Sequence, residues 1–294
     1  MIEKETITEV QIVEQGDQRY PVMLDMIGKG APPKLYCLGN LSLLNRKAAA
    51  VVGARKATPY GKWAAFNIGK KLGEYGIVVV SGMAYGCDAE AHKGALSVQG
   101  ATIAVLGSGV RVCYPKRNRL LYNSIIENDG LIISEHPPET HPLPAYFAER
   151  NRIISGLSHL VTVTEAGLSS GSLITADFAA EQGRTVMAVP GNMNCISSLG
   201  CNKLIQDGAG IITGFGDVLE ELGIHINPED ETKLTGLNEQ ERKLFRIIRR
   251  FSEVSINSIS RESGMSIEEV NAVTAQLEIK GFVVSSMGKV YIAK

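Results

Sequence analysis

Ile77–His92, IVVVSGMAYGCDAEAH, is the stretch that decides the fold. An apolar β-branched run breaks into two glycines four residues apart and then into a helix-forming segment, the order in which main chains cradle phosphate. Gly82 and Gly86 lack the Cβ atoms that would hold an anion away from the backbone. Asp88 is placed to cap the following helix, whose first N–H groups point into the loop. The stretch predicts a strand, an anion-binding turn and a helix.

Working outward, AAAVVGA precedes this run, and ATIAVLG, GLIISE, HLVTVTEAG, RTVMAVPG and GIIT follow it, about seven candidate strands in all. Helix-length patterns lie between them at 61–74, 88–98, 118–128 and 173–181. This alternation predicts an α/β fold, a doubly wound, Rossmann-like, mostly parallel sheet covered on both faces. Ligands of such sheets bind beyond the carboxyl ends of the strands. Gly53, Ser81, Gly82, Gly107, Ser134, Glu135, Glu165 and Gly191 all fall there and are expected to converge.

Four segments are expected: a lead-in over 1–45 that packs on the first strand of the main domain, the Rossmann-like domain at 46–224, a polar linker at 225–235 and a small domain at 236–294. In the last, LNEQERKLFRIIRRF has apolar residues at helical spacing, a second short helix ends at Gly264, and Ser266 caps a third that runs to Lys280. A terminal hairpin turning at Met287 and Gly288 completes a winged-helix pattern.

Composition limits what the site can hold. The 294 residues carry 30 basic and 31 acidic side chains, so no bulk charge draws a polyanion and any such site is local. Five cysteines without a C-x-x-C predict neither a disulfide framework nor a zinc site, and suit a reducing cytoplasm. No apolar run has the length of a membrane helix, so membrane insertion and secretion are not expected. Gly107-Ser-Gly109 lacks the third glycine of a dinucleotide fingerprint, and no Gly-Lys is followed by Ser or Thr. No cofactor is expected, and His92, His136 and His141 have no metal-ligand spacing.

A second glycine loop, TEAGLSSGSLITA at 164–176, offers backbone N–H groups and the hydroxyls of Ser169, Ser170, Ser172 and Thr175. Either loop alone is better explained as a connector. Two at one sheet edge, on strands expected to be neighbours, predict an anion trough. Around it lies a basic set with interleaved aromatics: Arg55, then Arg111, Tyr114, Lys116, Arg117 and Arg119, then Phe147, Arg150 and Arg152. Residues 111–119 contain no acidic side chain. Backbone amides, guanidinium groups and an aromatic on which a base stacks are what a single nucleic-acid strand needs.

The ordered blocks YPVMLDM (Tyr20–Met26), VVGAR (Val51–Arg55), SGMAYGCDAEAHKGAL, TIAVLGSGV, YPKRN (Tyr114–Asn118), ISEHPP, FAERNRIISGLS (Phe147–Ser158), TEAGLSSGSLITA, AVPGN and GCNKLIQDGA resemble the DNA-processing protein A family, DprA/Smf, over residues 18–222. The resemblance implies a non-enzymatic single-stranded DNA binder that loads the RecA recombinase, protects incoming DNA in natural transformation and forms a homodimer. It implies that Arg55 contacts phosphate, that both loops (Gly82, Tyr85 and Gly86; Ser170, Gly171, Ser172 and Thr175) approach the DNA backbone, and that Phe147, Arg150, Asn151 and Arg152 line the base and phosphate pocket. Lys116 joins this expected DNA-binding set. In two respects the chain departs from the pattern. Tyr85 stands where the family usually has arginine, and the N-terminal helical module of longer members is not expected.

The competing reading is enzymatic: a nucleotide-cleaving phosphoribohydrolase of the lysine-decarboxylase-like group, with Glu165 acting at the ribose. Its PGG-x-GT loop is not matched by EAGLSSGS. Asp88, Glu90, Glu135 and Glu165 would have to converge for acid/base work, and a structural role is preferred for them; no catalytic residue is assigned. The third helix of the small domain bears Glu268, Glu269 and Glu278 against Lys280 alone, a face that repels phosphate. That domain is expected to contact protein or to bind duplex weakly.

Overall fold

In the computed structural model, which describes residues 9–224, 237–251, 253–286 and 288–293, each of the seven apolar runs forms a strand of one sheet. Two strands precede them, β1 (Gln11–Glu14) and β2 (Lys34–Gly39), with the single-turn helix α1 (Val22–Asp25) between them. Then come β3 (Ala48–Val52), α2 (Pro59–Glu74), β4 (Val78–Ser81), α3 (Cys87–Leu96), β5 (Thr102–Val105), α4 (Arg119–Glu127), β6 (Leu131–Ser134), α5 (Pro144–Gly156), β7 (Leu160–Val163), α6 (Gly171–Glu181), β8 (Thr185–Ala188), α7 (Leu199–Gln206), β9 (Gly210–Ile211) and α8 (Asp217–Glu221).

The strand order is β1-β2-β6-β5-β4-β3-β7-β8-β9. Pairing is parallel from β6 through β9. β2 joins β6 antiparallel and β1 joins β2 antiparallel. The lead-in thus extends the sheet at β6, where packing on β3 had been expected; its apolar Leu35, Cys37 and Leu38 are buried there.

Alternation along the strands separates two core layers. Val78, Val80, Ile103, Val105, Leu131, Ile133, Val161 and Val163 meet α1, α5, α6 and α7 through Leu24, Ile153, Ile154, Leu157, Ala176, Ala179 and Cys201. Ala104 and Ile132 point the other way, toward Ala89 of α3 and Leu121, Tyr122 and Ile125 of α4. Pro144 opens α5 in its first turn, where a missing N–H costs nothing. Arg150–Arg152 lie within α5. The crossover through α5 carries the chain from β6 past β5, β4 and β3, so the winding reverses between β3 and β7.

The described residues fall into two compact units, divided after residue 225. The linker expected over 225–235 lies outside the described residues. The second unit comprises α9 (Glu239–Phe251), β10 (Glu253–Ser255), α10 (Ile256–Ser263), α11 (Ile267–Ile279), β11 (Val283–Ser286) and β12 (Lys289–Ile292). Its sheet has the order β10-β12-β11, and β10 was not legible as a strand. Ser266 caps α11 in a reciprocal capping box with Glu269, and Gly264 ends α10. The hairpin joins β11 to β12; Met287 lies outside the described residues. The unit has its own core of Leu244, Ile248, Ile259, Val270, Leu277, Val283 and Val290.

Candidate nucleic-acid interface

The reversal between β3 and β7 opens a crevice at the carboxyl ends of the strands. The two glycine loops follow β4 and β7, which are not neighbours: β3 lies between them, and its own loop brings Arg55 to the middle. Backbone bonds join the three loops. The Ala54 N–H donates to the Glu165 carbonyl (2.8 Å) and the Cys87 N–H to the Ala54 carbonyl (3.2 Å).

Within the first loop the anion is the chain's own. α3 starts at Cys87, so Asp88 is its second residue and caps nothing; Gly86 holds the cap position without a side-chain bond. The buried Asp88 carboxylate turns back into the loop, accepting the Gly82 N–H at 3.2 Å and the N–H groups of Gly53 and Ala84. Burial raises its pKa, and the Arg150 charge and these N–H groups oppose the rise. From α5, the Arg150 guanidinium donates to the carbonyls of Gly82 (2.9 Å) and Val105. It is 4% exposed, and burial lowers its pKa to about 10.

These contacts explain the glycines. A Cβ on Gly82 would strike the Arg150 guanidinium, and one on Gly86, at φ +77°, would strike the Ala54 carbonyl. Both are required by the protein's own packing, where close approach of phosphate had been the expectation. His92 lies buried in the same layer. The Thr102 hydroxyl gives its proton to the Val79 carbonyl, so His92 Nδ1–H donates to Thr102 Oγ1 (2.6 Å) and Nε2 is left as an unpartnered lone pair. Burial, aided by Arg150, lowers its pKa to about 3.

The second loop is open. Ser170 caps α6, its hydroxyl accepting the Ser172 N–H (3.5 Å) and lying 2.8 Å from the Ser172 hydroxyl. Gly171 is exposed, and a Cβ there would meet nothing within 4 Å. Ser172 and Thr175 are buried beneath it. Asn151 donates to the Gly171 carbonyl at 3.3 Å, so consecutive residues of α5 hold the two loops, Arg150 the first and Asn151 the second. Arg152 faces elsewhere: it makes a bidentate pair with Glu135 (2.7 and 2.6 Å) and donates to the Gly30 carbonyl (2.9 Å). Expected to line a phosphate pocket, Arg150 and Arg152 instead have their guanidinium groups engaged by protein acceptors.

Arg55, Phe147 and Tyr114 form one surface. Arg55 is exposed and lies 5.4 Å from the centroid of the half-buried Phe147 ring. Tyr114 adjoins the same ring. The Asn118 amide donates to the Met83 carbonyl at 2.8 Å, fastening the YPKRN segment to the first loop. Tyr85, Lys116, Arg117 and Arg119 are also exposed, with Arg119 5.5 Å over the Tyr122 ring.

The carboxylates of the enzymatic reading are already occupied. Glu165 is buried and accepts the Thr58 N–H (3.0 Å) and hydroxyl at the start of α2. Glu135 holds Arg152, Glu90 bonds Lys93, and Asp88 holds the loop. Among the described residues no three His, Cys, Asp or Glu side chains gather as a metal site, and no helix is long and apolar enough to cross a membrane.

Residues 11–223 match the family described as DNA recombination-mediator protein A. The chain belongs to that family. Within it, the DNA processing protein DprA of Streptococcus pneumoniae is 45% identical over 205 residues, 70% of this chain and 72% of that protein. A putative DNA processing protein DprA of Mycobacterium tuberculosis is 34% identical over 289 residues, 92% of this chain and 74% of that protein. The X-ray structure of the Streptococcus pneumoniae protein aligns with a TM-score of 0.69 at 42% identity, covering 74% of this chain and 75% of that one. A structure of DNA processing protein A from Helicobacter pylori, described for its single-stranded DNA binding mode, aligns with a TM-score of 0.66 at 30% identity over 73% of this chain and 95% of that one.

Residues 228–289 match the DprA winged helix domain. In this DNA recombination-mediator protein A family member, the third helix of that domain, α11, exposes Glu268, Glu269 and Glu278 together with Ile267 and Ile279. Lys280 is drawn away into a pair with the buried Glu241 (2.8 Å), whose carboxyl it holds below the usual range. Arg242, Lys243 and Arg246 are exposed on α9 instead.

Proposed function

We propose that this protein binds single-stranded DNA along the carboxyl edge of its sheet and acts as a recombination mediator without turning over a substrate. The observation that carries this reading is the exposed Arg55 guanidinium over the Phe147 ring, midway between two glycine loops, a cation and a base-stacking face side by side. Phosphates pass over Arg55, Lys116 and the open second loop at Ser170 and Gly171, while Phe147 and Tyr85 face the bases. Gly82, Gly86, Arg150, Asn151, Ser172 and Thr175 hold these groups in place from beneath, while Arg152 is paired with Glu135.

Family membership supports the further proposals that the protein loads RecA onto the bound strand during DNA uptake and that it works as a homodimer. The acidic, isoleucine-bearing face of α11 favours a protein partner over duplex DNA for the winged helix. Occupation of Glu165 by Thr58 weighs against the phosphoribohydrolase alternative; release of free base from AMP, lost in Glu165→Gln, would restore it.

Fluorescence anisotropy of single-stranded and duplex oligonucleotides across a salt series tests the central reading. Single strands are expected to bind more tightly, with Arg55→Ala lowering affinity about tenfold and reducing the salt slope by about 0.7. An unchanged slope would remove Arg55 from the interface.

A further inference from the structure

Tyr114 is 42% exposed although its chain neighbours Cys113 and Pro115 are buried. The segment is fastened from below by the Asn118 amide on the Met83 carbonyl (2.8 Å), so the ring is presented by anchored backbone. Its centroid lies 5.2 Å from that of Phe147 with the planes inclined at 35°. A base inserted between two rings needs them about 7 Å apart, twice a van der Waals stacking distance. The two rings are too close for that, so they pack together as one exposed aromatic cluster, with the Arg55 guanidinium 5.4 Å over the Phe147 ring. Lys116 and Arg117, both exposed, follow Tyr114 after the buried Pro115, and no acidic residue occurs between 111 and 119.

We infer that Tyr114 is a base-contacting, specificity-determining residue, extending the Phe147 surface so that two neighbouring bases of a single strand lie across the two rings while their phosphates run past Lys116 and Arg117. This rests on the single-strand reading above and deepens it. A duplex keeps its base faces stacked inside, so such a surface selects unpaired nucleotides; the cations beside it serve any phosphodiester chain.

The experiment compares two fluorescein-labelled ligands of equal length, an oligothymidylate and an abasic phosphodiester oligomer, by anisotropy at fixed salt. Tyr114→Ala is expected to bind oligothymidylate about tenfold more weakly and the abasic chain as well as the native protein does. Tyr114→Phe should retain native affinity for both. Tyr114→Leu fills the space beside Phe147 without an aromatic face and should match Tyr114→Ala, separating base contact from packing. Equal losses on both ligands, native behaviour of Tyr114→Leu, or no loss in any variant would overturn the inference. If the native protein binds neither ligand, the single-strand reading itself falls and this inference falls with it.

Discussion

The two glycine loops look alike in the sequence, each a strand end followed by small residues and a helix, yet they are built in opposite ways. In the first, Asp88 fills the cradle with a carboxylate of the chain itself, and Gly82 is small to admit the Arg150 guanidinium. In the second, nothing stands over Gly171, and Ser170 closes the helix end while leaving the turn exposed. A glycine loop at a sheet edge therefore does not by itself say whether its glycines are crowded; that depends on what the neighbouring helix sends into the loop, here Arg150 to one and Asn151 to the other.

The contrast is broken most directly at Asp88. Asp88→Ala leaves the buried Gly82 N–H, the N–H groups of Gly53 and Ala84 and the Arg150 charge without their anion, and should cost about 3–5 kcal/mol in urea unfolding. A loss under 1 kcal/mol would mean that water or solute anions replace it freely and that the two loops are alike after all.

His92 sharpens the same point through pH. Its folded pKa of about 3 lies below the ordinary 6.5, so between these values the unfolded chain holds a proton that the native one refuses. Stability should therefore fall as pH drops through that window, with His92 contributing about 1.4 kcal/mol per pH unit. His92→Gln, compared with the native chain by denaturant midpoint, should flatten the profile by that slope.

Matched glycine substitutions compare the loops themselves. Gly82→Ala forces the Arg150 head group to move and should destabilise by about 1–3 kcal/mol, whereas Gly171→Ala should stay within about 0.5 kcal/mol in thermal melts. Equal effects would erase the distinction. The smallest change expected is at the rim: Tyr85→Arg adds an exposed cation, tightening single-strand binding a few-fold and steepening the salt slope by about 0.7. An unchanged isotherm would place the first loop away from the DNA.

Much of the fold was legible because its signals are local. Val78–Val80, Leu131–Ile133 and Leu160–Val163 are buried strands whose composition marks them without reference to anything distant. The cap at Ser266 is likewise read within three residues. The antiparallel addition of β1 and β2 was hidden, since pairing partners nearly a hundred residues apart, such as Cys37 and Ile133, leave no mark in either segment. Within the site, Arg55, Phe147 and the exposed second loop were visible as residue types suited to a nucleic acid. Arg152 was not visible as a structural cation, because its partner Glu135 is 17 residues away on another element.

The sequence by itself determined the alternation of strands and helices, the two-part organisation and the chemical inventory at the strand ends, all set by patterns that span a few turns of chain. Only the tertiary structure decided which cations remain free and which anion fills which loop. Those outcomes depend on the crossover that runs α5 beneath both loops, and on burial, which obliges a guanidinium or carboxylate taken from water to find partners inside the protein before it can offer itself to a ligand.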